Sequence, residues 1–150
     1  MEVRVVDPEE TVDLRQRVLR PHWTTDQMRA ASDPVPSIAV YEDGTVVATA
    51  NVRPEPMPGD PREGDWRLRG MASDPAVRGR GYGAAALRAA LDHVREHGGR
   101  RVWCNARTGA MGFYERHGFT VVGEEFDLPD AGPHYMAYVN LTGAAGTGGA

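Results

Sequence analysis

Lysine is missing from this chain. All 17 basic residues are arginine, so chemistry through a lysine Schiff base is excluded. Cysteine is nearly missing too, and the single Cys104 has no partner for an internal disulfide. No apolar stretch approaches the roughly 18 residues of a membrane span. The start, MEVRVVDPEE, has neither the basic residues nor the apolar run of a secretion signal. A reducing cytoplasm is the expected setting, with no membrane partner. Positive charge is also not in excess: 17 basic against 21 acidic residues leave −4, which argues against nucleic acid as a partner. Five scattered histidines and one cysteine offer no zinc ligand set, and no metal is expected.

What remains is an ordinary globular composition, 41% hydrophobic and 25% charged over 150 residues, the size of one domain. We expect that domain to span residues 1–141. The end, Thr142 to Ala150 (TGAAGTGGA), has almost nothing to bury and is expected to be disordered.

The pattern along the chain predicts a strand over Val3 to Val6. A helix then opens at Asp7-Pro8-Glu9-Glu10, where a capping carboxylate precedes a proline at the first helical position. Leu14 and Val18 mark its buried side, Arg15, Gln16 and Arg17 fill the other, and Pro21 discourages continuation. Thr24 to Gln27 is a candidate start for a second helix. Ile38 to Tyr41 and Thr45 to Arg53 flank Glu42-Asp43-Gly44, a hairpin signal.

Prolines 54, 56, 58 and 61 make Pro54 to Gly64 an exposed connecting loop. Strands follow at Trp66 to Ala72, Val102 to Asn105, Phe119 to Phe126 and Tyr135 to Leu141. Helices are predicted at Gly83 to His97, stopped by Gly98-Gly99, and at Gly109 to His117, closed by Gly118. Hairpins mixed with two αβ crossovers point to an α+β fold. Its sheet is expected to have six or seven strands, mixed but largely antiparallel, with about four helices.

The most informative stretch joins the strand ending at Ala72 to the strongest helix. Arg78-Gly79-Arg80-Gly81-Tyr82-Gly83 contains three glycines that let the main chain approach a ligand closely. The helix start adds about half a positive charge, and Arg78 and Arg80 add forked donors suited to phosphate oxygens. We read the segment as a diphosphate cradle. Gly79, Gly81 and Ala84 also fit the dinucleotide fingerprint G-x-G-x-x-A. That fingerprint belongs in the first βα turn of a parallel unit and needs an acid about 20 residues on. Here long hairpins precede it and position 101 is arginine, so the Rossmann reading is set aside.

Arg78 to Gly83 resembles the Arg/Gln-x-x-Gly-x-Gly/Ala segment of the GCN5-related N-acetyltransferase (GNAT) superfamily. A second similarity lies at Asn105-Ala106-Arg107 followed by Phe113-Tyr114-Glu115-Arg116-His117-Gly118-Phe119, which resembles the family's FYEKxGF segment. The resemblance implies the acyl-CoA N-acyltransferase fold, acetyl-CoA as cosubstrate and an amine acceptor. Homodimerisation through a sheet edge or the last strands is compatible with it.

By the same resemblance the pyrophosphate lies on the backbone of Arg78, Gly79, Arg80, Gly81, Tyr82 and Gly83. The pantetheine arm runs between splayed strands, Leu68 to Ser73 and Val102 to Asn105, with Met71, Ala72 and Ser73 on the first of them. A backbone N–H near Met71 or Ala72 polarises the thioester carbonyl. Asn105 contacts the pantetheine, and Phe113 adjoins the cosubstrate.

Acyl transfer to an amine needs a neutral amine, a stabilised oxyanion and a proton for the departing thiolate. Tyr114 matches the family's tyrosine acid, and a phenol stays protonated at neutral pH. Where family members often carry an acid on the strand before the phosphate turn, Trp66 to Ala72 has none. Candidate bases are therefore Glu63, Asp65, His134 or a water relay, with His22 available in an acceptor pocket. Histidine suits removal of a proton from an ammonium.

Cys104 is expected to be a buried, inert thiol. The acceptor pocket is expected from His22 to Pro36, Pro54 to Asp65 and Asp127 to His134. The resulting expectation is an N-acetyltransferase working by direct attack of a primary amine. The rival is a coenzyme-A-binding regulatory module without turnover, favoured by the missing strand carboxylate.

Overall fold

A computed structural model describes residues 1–141; the end expected to be disordered lies outside them. The strands are β1 (Glu2–Val6), β2 (Ser37–Glu42), β3 (Thr45–Pro54), β4 (Asp65–Ser73), β5 (Arg101–Arg107), β6 (Thr120–Leu128) and β7 (Gly132–Asn140). The helices are α1 (Val12–Leu19), α2 (Thr25–Ala31), α3 (Tyr82–Glu96) and α4 (Met111–Arg116). The fold is α+β: the seven strands follow the order β1-β2-β3-β4-β5-β7-β6, with β4 and β5 parallel. Antiparallel ladders join β1 to β2, β2 to β3, β5 to β7 and β6 to β7. Among the described residues no helix is long and apolar enough to cross a membrane. By internal contacts the described residues form two compact units: Met1–Arg53 with Leu68–His93, and Pro54–Arg67 with residues 94–141.

In the first unit, Asp7 caps as expected, its side chain accepting from Glu9 N–H at 2.9 Å. The segment it opens is a 3-10 turn, Pro8–Thr11, and the α-helix starts only at Val12. A second difference concerns Arg15. It was expected on the polar side of α1, yet it is 5% exposed. Its Nε donates to Thr11 Oγ1 (3.0 Å), Nη1 to Ser32 Oγ (2.8 Å) and Nη2 to the Pro8 carbonyl (3.1 Å). A buried guanidinium is tolerable because its donors are satisfied in this way.

Thr24 and Gln27 close a reciprocal capping box on α2. The β2–β3 hairpin turns on Asp43 (φ 52°) and Gly44 (φ 77°), both left-handed as a type I′ turn requires. Behind them Ile38, Ala39, Val40, Val47, Ala48 and Ala50 form the apolar core.

In the second unit β4 begins beside β5, with Asp65 to Arg67 paired to Arg101 to Trp103. The loop before it is not simply exposed, as its prolines suggest. Met57 is 2% exposed, and the Asp65 carboxylate accepts from the N–H groups of Met57 (3.0 Å) and Arg62 (2.9 Å). Trp103 Nε1 donates to the Glu55 carbonyl at 2.9 Å. The loop is thus strapped from its far side. Gly98 (φ 81°) stops α3 in the left-handed conformation expected of it, and Gly99 N–H returns to the Val94 carbonyl.

Candidate functional site

The first unit carries the glycine turn. Asp74 N–H donates to the Val47 carbonyl (2.9 Å), and its side chain accepts from Ala76 N–H (3.0 Å), fixing the turn Pro75–Val77. Arg78 leaves this turn extended (φ −64°, ψ 155°). Gly79 (φ 83°) and Gly81 (φ 85°) then adopt left-handed conformations. A Cβ built on either glycine would meet nothing within 4 Å, so the space above the turn is open. Arg78, Gly79, Arg80 and Gly81 are all exposed.

Helix α3 takes over with Ala85 N–H donating to the Gly81 carbonyl at 3.0 Å. The N–H groups before Ala85 have no acceptor within the helix, and glycine brings no side chain to cap them. An anion set against them would meet unspent donors and the positive end of a 15-residue dipole.

Tyr82, by contrast, is 8% exposed, and its hydroxyl donates to Glu42 Oε1 at 3.0 Å. That bond holds the Glu42 carboxyl below its usual value and raises the Tyr82 phenol. Arg80 reaches the same phenol. The Tyr82 side chain therefore anchors the helix start, leaving only its backbone to a ligand.

One feature of this strand escaped the sequence reading. Gly70, inside β4, has φ 63°; a Cβ there would lie 3.3 Å from Arg15 Cδ and 3.5 Å from Asn51 Oδ1. A left-handed residue in mid-strand turns the neighbouring peptide planes out of the regular ladder. The planes affected adjoin Met71. A lone glycine within a strand pattern was the available signal. Buried Asn51 and Arg15 beneath it carried none. Met71 and Ser73 are half-buried and Ala72 is buried.

The second unit carries the aromatic segment. Asn105, half-buried on β5, pairs with Met136, and Arg107 pairs with His134. After the turn Thr108–Ala110, α4 places Tyr114 inside and Phe113 half-buried. The Tyr114 ring stands edge-on to Phe113 (5.3 Å between centroids) and Phe119 (5.2 Å). Gly118 (φ 91°) closes the helix, and Phe119 N–H donates to the Tyr114 carbonyl. Burial pushes the Tyr114 phenol well above the usual tyrosine value, which keeps it protonated. Its hydroxyl makes no hydrogen bond among the described residues.

Of the candidate bases, Asp65 is fully engaged. Burial acts most strongly on its carboxyl and pushes it up. Hydrogen bonds from Arg101 and from the Met57 and Arg62 N–H groups overrule that effect and bring it down to about 2. A carboxylate so stabilised is a poor proton acceptor and a good anchor. Glu63 is exposed. His22 is exposed, edge-on to Trp23.

His134 is 4% exposed, with Nδ1 2.8 Å from the Gly132 carbonyl. A carbonyl only accepts, so Nδ1 carries the proton and Nε2 of the neutral ring holds the lone pair. Cys104 is a buried free thiol, pushed up to about 12 by burial, as expected of an inert one. The structure therefore keeps Met71 to Gly83 as one continuous run in the first unit and gathers Asn105, Phe113, Tyr114 and His134 in the second.

Four similarities to known proteins accompany this geometry. Residues 6–119 match the model of the Acetyltransferase (GNAT) family. The chain is 33% identical over 144 residues to an uncharacterised N-acetyltransferase of Bacillus subtilis, YitI, covering 94% of this chain and 97% of that protein. Among solved structures, Ard1 from Thermoplasma volcanium superposes with a TM-score of 0.73 at 19% identity, over 93% of this chain and 96% of that one. An aminoglycoside 6'-N-acetyltransferase complexed with coenzyme A gives 0.72 at 13% identity, over 94% and 97%.

Proposed function

The chain belongs to the GNAT acetyltransferase family, and from that premise we propose that it moves the acetyl group of acetyl-CoA onto a primary amine of a small molecule or peptide by direct attack. The observation that carries the donor half is the turn at Gly79 and Gly81. Two left-handed glycines leave open space above them, and the unspent N–H groups of the α3 start follow at once. Backbone donors at that spacing suit a pyrophosphate, and exposed Arg78 and Arg80 add charge.

Acetyl-CoA supplies an acetyl group already activated as a thioester. Everything else falls to the chain. The Met71 and Ala72 N–H groups, beside the left-handed Gly70, polarise the acetyl carbonyl. Asn105 and Phe113 help to hold the pantetheine, and Ser73 continues the strand contact toward the cradle. The Tyr114 hydroxyl, protonated by virtue of its burial and unengaged by neighbouring side chains, gives its proton to the leaving sulfur. The amine loses its proton to His134 Nε2, the ring being held in the right tautomer by Gly132. No carboxylate of β4 is available in its place, since Asp65 is locked to Arg101.

Calorimetric titration with acetyl-CoA, followed by a thiol-release assay over a panel of primary amines, tests the reading. Micromolar binding and amine-dependent thiol release are expected. Absence of acetyl-CoA binding would overturn it.

A further inference from the structure

We infer that the amine acceptor also carries a carboxylate, and that the Arg69 guanidinium receives it. The inference rests on the acetyl-transfer reading above and narrows its acceptor to acidic amines such as amino acids and short peptides.

Arg69 is the β4 residue directly before Gly70. Met71 and Ala72, whose N–H groups polarise the acetyl carbonyl in that reading, follow at once. Two residues, roughly 7 Å of strand, separate Arg69 from Met71. An acceptor attacking at Met71 therefore comes within range of the Arg69 charge.

The Arg69 side chain is 42% exposed and anchored by one bond, from Nη1 to Asp33 Oδ2 at 3.1 Å. Asp33 is fixed in turn by Arg53, whose Nη1 donates to Oδ1 at 2.8 Å. The anchor leaves Nε and Nη2 of Arg69 without a partner among the described residues. Those two N–H groups form a fork that fits both oxygens of a carboxylate. The same pair of atoms grips a carboxylate twice elsewhere in this chain. Arg29 Nε and Nη2 meet Glu9 Oε1 and Oε2 at 2.7 and 2.8 Å, and Arg101 holds Asp65 in the same way. Of these three arginines, Arg69 keeps its fork unspent.

Charge around the fork favours an anion. Asp33 is one carboxylate shared between two guanidinium groups. Arg15, buried under Gly70, bonds only to neutral groups, the Thr11 and Ser32 hydroxyls and the Pro8 carbonyl. Asp33 and Arg69 both lie close enough to act on its charge. Glu9, the other acid that does so, is spent on Arg29. Positive charge thus exceeds negative beside Gly70. A carboxylate arriving there gains attraction as well as two hydrogen bonds, whereas a wholly cationic acceptor meets repulsion.

Thiol-release kinetics with acetyl-CoA test the inference, on a panel in which each amino acid or dipeptide is matched by its carboxamide. The wild type is expected to favour the acid in kcat/KM by about tenfold or more. Arg69→Gln is expected to raise KM for the acids and erase that ratio, and Arg69→Glu to invert it. Comparing ratios between proteins cancels the differing basicity of the amines. Because the Arg69 side chain is exposed and its ion pair adds little stability, both variants keep the wild-type circular dichroism, and calorimetry should find acetyl-CoA affinity unchanged. Thiol release with none of the amines would overturn the acetyl-transfer reading and this inference together. Amines acetylated with the acids no better than their carboxamides, or a preference that survives in Arg69→Gln, would overturn this inference alone.

Discussion

Arg101 holds Asp65 in a two-pronged grip, Nε to Oδ1 at 2.8 Å and Nη2 to Oδ2 at 2.9 Å, with side chains 3% and 2% exposed. The same guanidinium donates to the Asp60 carbonyl at 2.6 Å. One ion pair therefore ties the first residue of β4, the first residue of β5 and the loop before β4.

Removing one member of such a pair leaves the other charge buried and unmatched, at a cost of about 3–5 kcal/mol. Asp65→Asn is expected to destabilise by about that amount, read as a lowered urea midpoint with unchanged slope. The sign of its pH dependence follows from the depressed carboxyl. Folded Asp65 sits at about 2, below the unfolded value of roughly 3.9. Its contribution is complete above pH 4 or so and disappears as pH falls through about 2. The variant should lose stability at neutral pH and show a flatter acid limb than the wild type between those values. Urea melts from pH 2 to 7 distinguish the two profiles.

How far the sequence foretold these features depends on how local their causes are. The Asp43-Gly44 hairpin, the capping box at Thr24 and the Gly98 stop were all legible, because each is set by residues within one turn. The glycine turn between β4 and α3 was legible for the same reason: Asp74 to Gly83 is a continuous run whose bend is set by its own glycines and by the Asp74 cap. Arg15 was not, since periodicity sends a charged residue outward. Only the gathering of Pro8, Thr11 and Ser32 around it makes burial affordable. The strapped loop was equally hidden, because Asp65 and Arg101 lie 36 positions apart. Gly70 showed as a glycine in a strand, but its left-handed backbone depends on the tertiary setting of Arg15 and Asn51.

Gly81→Val is expected to weaken acetyl-CoA binding by about tenfold or more. At φ 85° a β-branched side chain is strained, and it would fill the open space above the turn. Strain alone must be separated from occlusion. Gly59→Val provides the control: Gly59 has φ 84° and equally open surroundings, but lies in the loop before β4. Both variants should lose about 1–2 kcal/mol of stability, while calorimetry should find weakened binding in Gly81→Val alone.

Cys104 is expected to be silent. Its thiol, 2% exposed and pushed up to about 12 by burial, holds almost no thiolate at neutral pH. An aromatic disulfide reagent should leave the native protein unlabelled and titrate one thiol after denaturation. Cys104→Ala is expected to retain turnover, because direct attack by the amine needs no acyl-enzyme on sulfur. A burst of thiol release that disappears in the variant would instead identify a covalent route.

Tyr114→Phe separates packing from chemistry. The ring lies between Phe113 and Phe119, and phenylalanine keeps those edge contacts. The hydroxyl makes no hydrogen bond among the described residues, so losing it should change stability by less than about 1 kcal/mol. If that hydroxyl protonates the leaving sulfur, kcat should fall about 100-fold with little change in acetyl-CoA affinity. Burial raises the phenol, so Tyr114 should contribute no alkaline fall in kcat below pH of about 10. Steady-state kinetics of both proteins with an accepted amine decide the point. A variant that turns over within about threefold of wild type would assign Tyr114 to packing alone and leave the proton to another donor or to water.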